Sequence, residues 1–175
     1  MAETGGKWRS NVSNGNARER YEQKCIVKVK QCQQRHVRAN QSLEMISIKF
    51  TVYGKPQGKA RPRFTRQGRA YTPKNTVDYE EQIKQAYISA GGTLISDTEP
   101  ILICITACFK KAKTNKMDYP TLKPDADNIA KAVCDAINGI AYRDDKQITC
   151  LTVDKVWAED GIERVEIEVE ELIHS

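Results

Sequence analysis

The longest apolar stretch of this chain, Ile101 to Phe109, opens after Pro100 and closes on the charged Lys110. It is about half of what a membrane-spanning helix needs and reads instead as a strongly apolar strand. Such a strand must be buried, and 39% apolar content over 175 residues is enough for one ordinary core with room for an extra segment. The N-terminus carries no apolar signal core, so a soluble, cytoplasmic protein without membrane contact is expected.

The other elements arrange themselves around this strand. Ile46, Ile48, Phe50 and Val52 alternate with polar residues as in a half-buried strand. A loop follows, punctuated by Gly and Pro and loaded with cations. Tyr79, Ile83, Ala86 and Tyr87 recur at helical spacing, which predicts a helix from Thr76 to Ala90 stopped by Gly91-Gly92. Asp125 or Asp127 can cap a second helix running to about Asn138, with Gly139 as the stop. A strand from Ile148 to about Ala158, a hairpin turn at Asp160-Gly161 and a strand from Ile162 to Leu172 complete the chain. The order β-α-β-α-β-β predicts an α+β fold, a small mixed sheet covered by two helices.

Residues 1–44 lack any pattern that would bury a face and read as a flexible basic extension, so the folded domain is expected to span 45–175. The net charge of +5 comes entirely from that extension, which holds nine Lys/Arg against four Asp/Glu. The remainder is balanced but segregated. Residues 45–74 carry eight basic residues and no acid, whereas Glu159 to Glu171 holds seven acids and one Arg. That asymmetry points to a side that faces a polyanion.

Cys104, Cys108, Cys134 and Cys150 sit in apolar patterns and read as reduced core thiols. Cys25, Cys32 and His36 could offer three zinc ligands, but no CxxC pair occurs and a fourth ligand is missing.

Chemistry concentrates between Lys123 and Asp145. Asp125 and Asp127 stand two apart at a helix start, where both carboxylates can point the same way and share one cation. Asp127, Lys131 and Asp135 follow at four-residue spacing along one helix face, and Ile129, Val133, Ala136 and Ile137 occupy the opposite one. A second acidic pair, Asp144 and Asp145, precedes the next strand. Clustered carboxylates repel, and a hard divalent ion such as Mg²⁺ offsets that repulsion. Taken singly, each acid is ordinary cap or turn chemistry, and Asp135 with Lys131 can be a plain surface ion pair. Two acidic pairs, an interposed lysine and a basic loop in one small chain favour phosphodiester hydrolysis, with Lys131 near the scissile phosphate.

The string Lys-Pro-Asp-x-Asp-Asn, then Lys131, Asp135-Ala-Ile-Asn-Gly, Tyr142 and Asp144-Asp145-x-x-Ile, resembles the signature of RusA-type Holliday junction resolvases, and the resemblance spans about the whole of residues 45–175. It implies a homodimeric endonuclease that nicks four-way junctions with Mg²⁺, which Mn²⁺ can replace, commonly in phage or prophage recombination. By the same resemblance Asp125, Asp127 and Asp145 become metal ligands and Lys131 the essential lysine, while Asn128 and Asp144 match with secondary roles. Lys123-Pro124 replaces an arginine run that some members carry, and the spacer before Asp144-Asp145 is slightly shorter than in some.

The basic loop is then the expected DNA-binding surface, through Lys59, Arg61, Arg63, Arg66 and Arg69, with Phe64 and Tyr71 interleaved for stacking. Lys155 joins this set by the resemblance. Two alternatives stay open: a flap or other branched-DNA nuclease of the same chemistry, and a non-catalytic DNA-binding replication accessory module whose acids are caps.

Overall fold

Alternation of apolar and polar residues makes one face of a strand apolar, and the computed structural model, which describes residues 43–174, builds β1 (Leu43–Tyr53) on that pattern. Phe50 and Val52 are buried and Ile48 packs against the same core, while Lys49 and Tyr53 are exposed. Apart from Leu43 and Glu44, which open β1, the proposed N-terminal extension lies outside the described residues, as do Cys25, Cys32 and His36.

The cationic loop contains a feature that its composition did not predict. β2 (Arg63–Phe64) and β3 (Ala70–Tyr71) pair antiparallel as a small separate hairpin. Helix α1 (Lys74–Ser89) buries Thr76, Tyr79, Ile83 and Tyr87. Next come β4 (Ile101–Lys110), helix α2 (Ala126–Ile137), a single 3₁₀ turn at Asp145–Gln147, β5 (Ile148–Ala158) and β6 (Arg164–His174). The class is α+β, with a mixed four-stranded sheet and two helices, as the element order predicts.

The sheet order is β1-β6-β4-β5, with β6 antiparallel to both β1 and β4, and β4 parallel to β5. This corrects the expected hairpin at Asp160-Gly161. The turn is there, with the Ile162 amide donating to Asp160 Oδ1 at 3.0 Å, but β6 leaves β5 and lands on the far side of β4. Burial explains the choice. Ile101, Ile103 and Ile105 are buried on the face turned to the helices, and Leu102 and Cys108 are buried on the other. A large apolar side chain gains roughly 1.5–3 kcal/mol when removed from water, so a strand apolar on both faces belongs inside the sheet. β5, with Leu151 exposed, tolerates the edge.

The helices pack on each other, α1 against β1 and α2 against β5, over a core that includes Phe50, Ile83, Tyr87, Ile105, Phe109, Ile129, Val133 and Ile167. The acid-rich last strand places Glu166 and Glu168 on the opposite face, in register with Thr51, Lys49, Thr106 and Cys104. Two pairs across or along that face, Lys49 with Glu168 at 2.9 Å and Arg164 with Glu166 at 2.6 Å, moderate the repulsion.

The cysteines divide. Cys108 is buried and Cys104 and Cys134 are half-buried, all three as reduced thiols, and burial pushes the Cys134 thiol up to about 11. Cys150 departs from the reading as a reduced core thiol, for it is half-buried and disulfide-bonded. It lies on the edge strand β5, where a side chain is not sealed between neighbours on both sides.

Candidate functional site

Helix α2 begins at the first acidic pair. Asp125 is its N-cap, in extended conformation at φ −72° and ψ 153°, and its carboxylate makes no capping hydrogen bond. Asp127 falls in the first turn, where the helix dipole favours a negative charge. Both are exposed, and Asn128 Nδ2 reaches Asp127 Oδ1 only at 3.5 Å. One helical turn on, Lys131 is exposed and forms no ion pair with a described residue. Ile129, Ala130, Ala132, Val133, Ala136 and Ile137 are buried, so the apolar stripe holds the helix down and leaves the polar seam outward.

The second pair is set by the return from α2. Gly139, at φ +76°, takes a conformation that L side chains rarely adopt, and its amide donates to the Tyr142 carbonyl at 2.7 Å. Tyr142 is fully buried, and its hydroxyl donates to the Cys134 carbonyl at 2.8 Å. Gln147 then clamps the turn: its Oε1 accepts from the Arg143 and Asp144 amides at 3.1 and 3.4 Å, and its Nε2 donates to the Ser96 carbonyl at 2.8 Å. Asp144 spends its carboxylate on the cap, accepting from the Lys146 amide at 3.0 Å, which holds it below the usual carboxylate range. Asp145 is exposed and takes no part in this capping box.

The return from α2 carries a strong electrostatic signature. Burial raises the Tyr142 phenol far above its ordinary range, and the negative charges of Asp145 and Asp135 raise it further. The same two carboxylates act on Cys134. Asp145 opens the 3₁₀ turn after the return from α2, and Asp125 and Asp127 stand at the start of the helix. Their donor type, exposed carboxylate oxygen, suits a hard divalent cation. Among the described residues, however, no three His, Cys, Asp or Glu side chains converge as a ligand set.

Two cations expected on the DNA surface are engaged inside the fold. Lys59 is only 23% exposed, and its Nζ contacts Glu80 Oε1 at 2.5 Å and Asp135 Oδ2 at 2.9 Å. Burial opposes its charge, but the two carboxylates outweigh burial and hold the ammonium above the ordinary lysine range. Asp135 is thus paired with Lys59 and not with Lys131. Lys155 is half-buried, donates to the Leu122 carbonyl and lies 5.4 Å from the Phe109 ring centre. With Trp157 Nε1, which donates to the Met117 carbonyl at 2.9 Å, it ties the segment leading to Asp125 onto β5. A signal for this was present, since Val153, Lys155 and Trp157 alternate onto one strand face, where a lysine between apolar residues marks a satisfied, inward contact.

Arg61, Arg63, Arg66 and Arg69 are all exposed on or beside the β2–β3 hairpin, with Phe64 72% and Tyr71 46% exposed. The hairpin is closed by the Thr65 amide on the Arg69 carbonyl at 2.8 Å. Glu80, Gln147 and Tyr142 were not among the expected site residues, because their roles depend on partners distant in sequence or on closure of a turn.

No described helix is long and apolar enough to cross a membrane. Comparison with known proteins finds a chain 32% identical over 149 residues, covering 73% of this chain and 99% of the other, an uncharacterized protein, YqaN, of Bacillus subtilis (strain 168). The model of the family described as Endodeoxyribonuclease RusA matches residues 53–170, a span that takes in the basic hairpin, both acidic pairs and Lys131. This chain belongs to the RusA family of endodeoxyribonucleases.

Proposed function

We propose that this chain is a Mg²⁺-dependent, structure-specific endodeoxyribonuclease that resolves four-way (Holliday) junctions in recombination and repair, acting as a homodimer. The observation that carries the reading is the display of Asp125, Asp127 and Lys131 in exposed positions of one helix, free of side-chain capping and of ion pairs with described residues, in a chain of a nuclease family. Residues that served only as caps would be spent on the backbone, as Asp144 is.

Asp125, Asp127 and Asp145 would hold the metal, which when bound supplies water activation and charge neutralisation at the phosphate. Mn²⁺ can stand in, being another hard cation with oxygen preference. Lys131 stabilises the negative charge that develops on the phosphate oxygens. The arginines of the hairpin engage flanking phosphates, and Phe64 and Tyr71 offer stacking faces for bases exposed where strands exchange. Two opposed strands of a symmetric junction call for two active sites related by a two-fold axis, hence a dimer.

Incubation with an end-labelled four-way junction, a flap and a linear duplex, each with Mg²⁺, tests this directly. Paired incision at symmetric positions of the four-way junction is the expected result, with dimer mass by light scattering. Preferential cutting of the flap would reassign the substrate, and binding without cutting in either metal would remove the enzymatic reading.

A further inference from the structure

The segment that carries the basic hairpin is joined to the acid-bearing helix at one residue. The Lys59 amide donates to the Asn128 carbonyl at 2.8 Å, inside the first turn of α2, beside Asp127. Gly58, immediately before it, lies so close that a Cβ there would stand 2.9 Å from the Cβ atoms of both Asn128 and Pro124. The Lys59 side chain then runs between the helices to Glu80 of α1 and Asp135 of α2. Two residues later the chain reaches Arg61 and the exposed hairpin. Backbone and side chain of a single lysine therefore hold the hairpin root to both helices.

We infer that Lys59 is a positioning residue: its bridge to Glu80 and Asp135 sets the distance between the DNA-gripping hairpin and the carboxylates of α2, and so selects the phosphate that is cut. The inference rests on the nuclease reading above and assigns to Lys59 a role other than contact with DNA. An exposed lysine would strengthen binding through phosphate contact and counterion release. Lys59 is instead mostly covered and has two carboxylate partners, so its charge is already matched within the protein. Glu80 and Asp135 remain part-exposed, so water screens the bridge and its value is geometric more than energetic. Reaction rate is sensitive to such geometry, because a displacement of about 1 Å at a reacting centre can cost roughly 100-fold.

The test compares Lys59→Gln with Glu80→Gln, the second leaving Lys59 in place and lying outside the proposed catalytic set. Three quantities are read: exchange of the Lys59 amide hydrogen, junction affinity in Ca²⁺, and single-turnover cleavage with the cut position mapped in Mg²⁺. Both variants should speed exchange at Lys59, keep affinity within about two-fold, slow cleavage at saturating junction by about ten-fold or more, and spread incision over neighbouring phosphates. Lys59→Arg should recover part of the rate. If Glu80→Gln matches the unaltered chain in exchange, rate and cut position, or if Lys59→Gln acts by weakening affinity alone, the inference fails. An unaltered chain that cuts no junction would bring down the nuclease reading, while the exchange measurement would still decide whether Glu80 and Lys59 lock the hairpin root.

Discussion

The Tyr142 hydroxyl donates to the carbonyl of Cys134 at 2.8 Å, closing the return from α2 just ahead of the turn that Asp145 opens. Tyr142→Phe keeps the buried ring and removes this bond, while the Cys134 carbonyl keeps the Asn138 amide at 3.0 Å, so the cost is that of one hydrogen bond, about 0.5–1.5 kcal/mol. Urea denaturation should show a lower midpoint with an unchanged slope, and cleavage should fall more than junction binding as Asp145 loosens.

Asp127→Asn should separate binding from chemistry. Asparagine retains the shape and suits a helix start, so the fold changes little. It removes negative charge from an exposed carboxylate proposed to hold a hard cation. Cleavage in Mg²⁺ should drop by more than the roughly 100-fold that loss of an outer-shell partner can cost, with junction affinity in Ca²⁺ similar or slightly higher. Asp125→Asn and Asp145→Asn should follow the same pattern, and Asp135→Asn should lose less. Near-normal cleavage by the Asp127 and Asp145 variants would sink the proposed active site.

Glu171 supplies a pH dependence of stability. Burial raises its carboxyl above the ordinary range, and the neighbouring Glu99 raises it further. The folded state therefore holds this proton more tightly than the unfolded chain does, so stability falls as pH climbs from the unfolded value of 4.5 through the raised folded one. Glu171→Gln removes that loss. Its denaturation midpoint should exceed that of the unaltered chain at pH 7 and approach it at pH 4; equal midpoints at both would exclude the effect.

A chain beginning at Met45 should remain folded and active, because Phe50 and Val52, the buried residues through which β1 joins the core, both lie downstream of it. Size-exclusion chromatography and junction cleavage check this proposal. Aggregation, or complete loss of cleavage, would count against a domain boundary at this point.

Local patterning made much of this protein legible before its fold was known. Two-residue alternation marked β1, helical spacing marked α1 and α2, and the buried stripe of α2 left Asp127, Lys131 and Asp135 on the outer face, because each of these features depends only on the geometry of its own segment. The acidic pairs stood out for the same reason, as residue types at fixed spacing. Strand order did not. The Asp160-Gly161 turn looks the same whether the last strand returns beside β5 or passes across β4, and the competition for the centre of the sheet, won by the strand apolar on both faces, decided it. The fate of individual cations was equally hidden. Lys59 and Arg61 stand two apart in one basic run, yet one is clasped by Glu80 and Asp135 and the other lies open to solvent, since only the packing of α1 on α2 brings the two carboxylates to the same lysine. Charge along a chain can be read from sequence, whereas which charges remain unmatched is settled by the elements that meet when it folds.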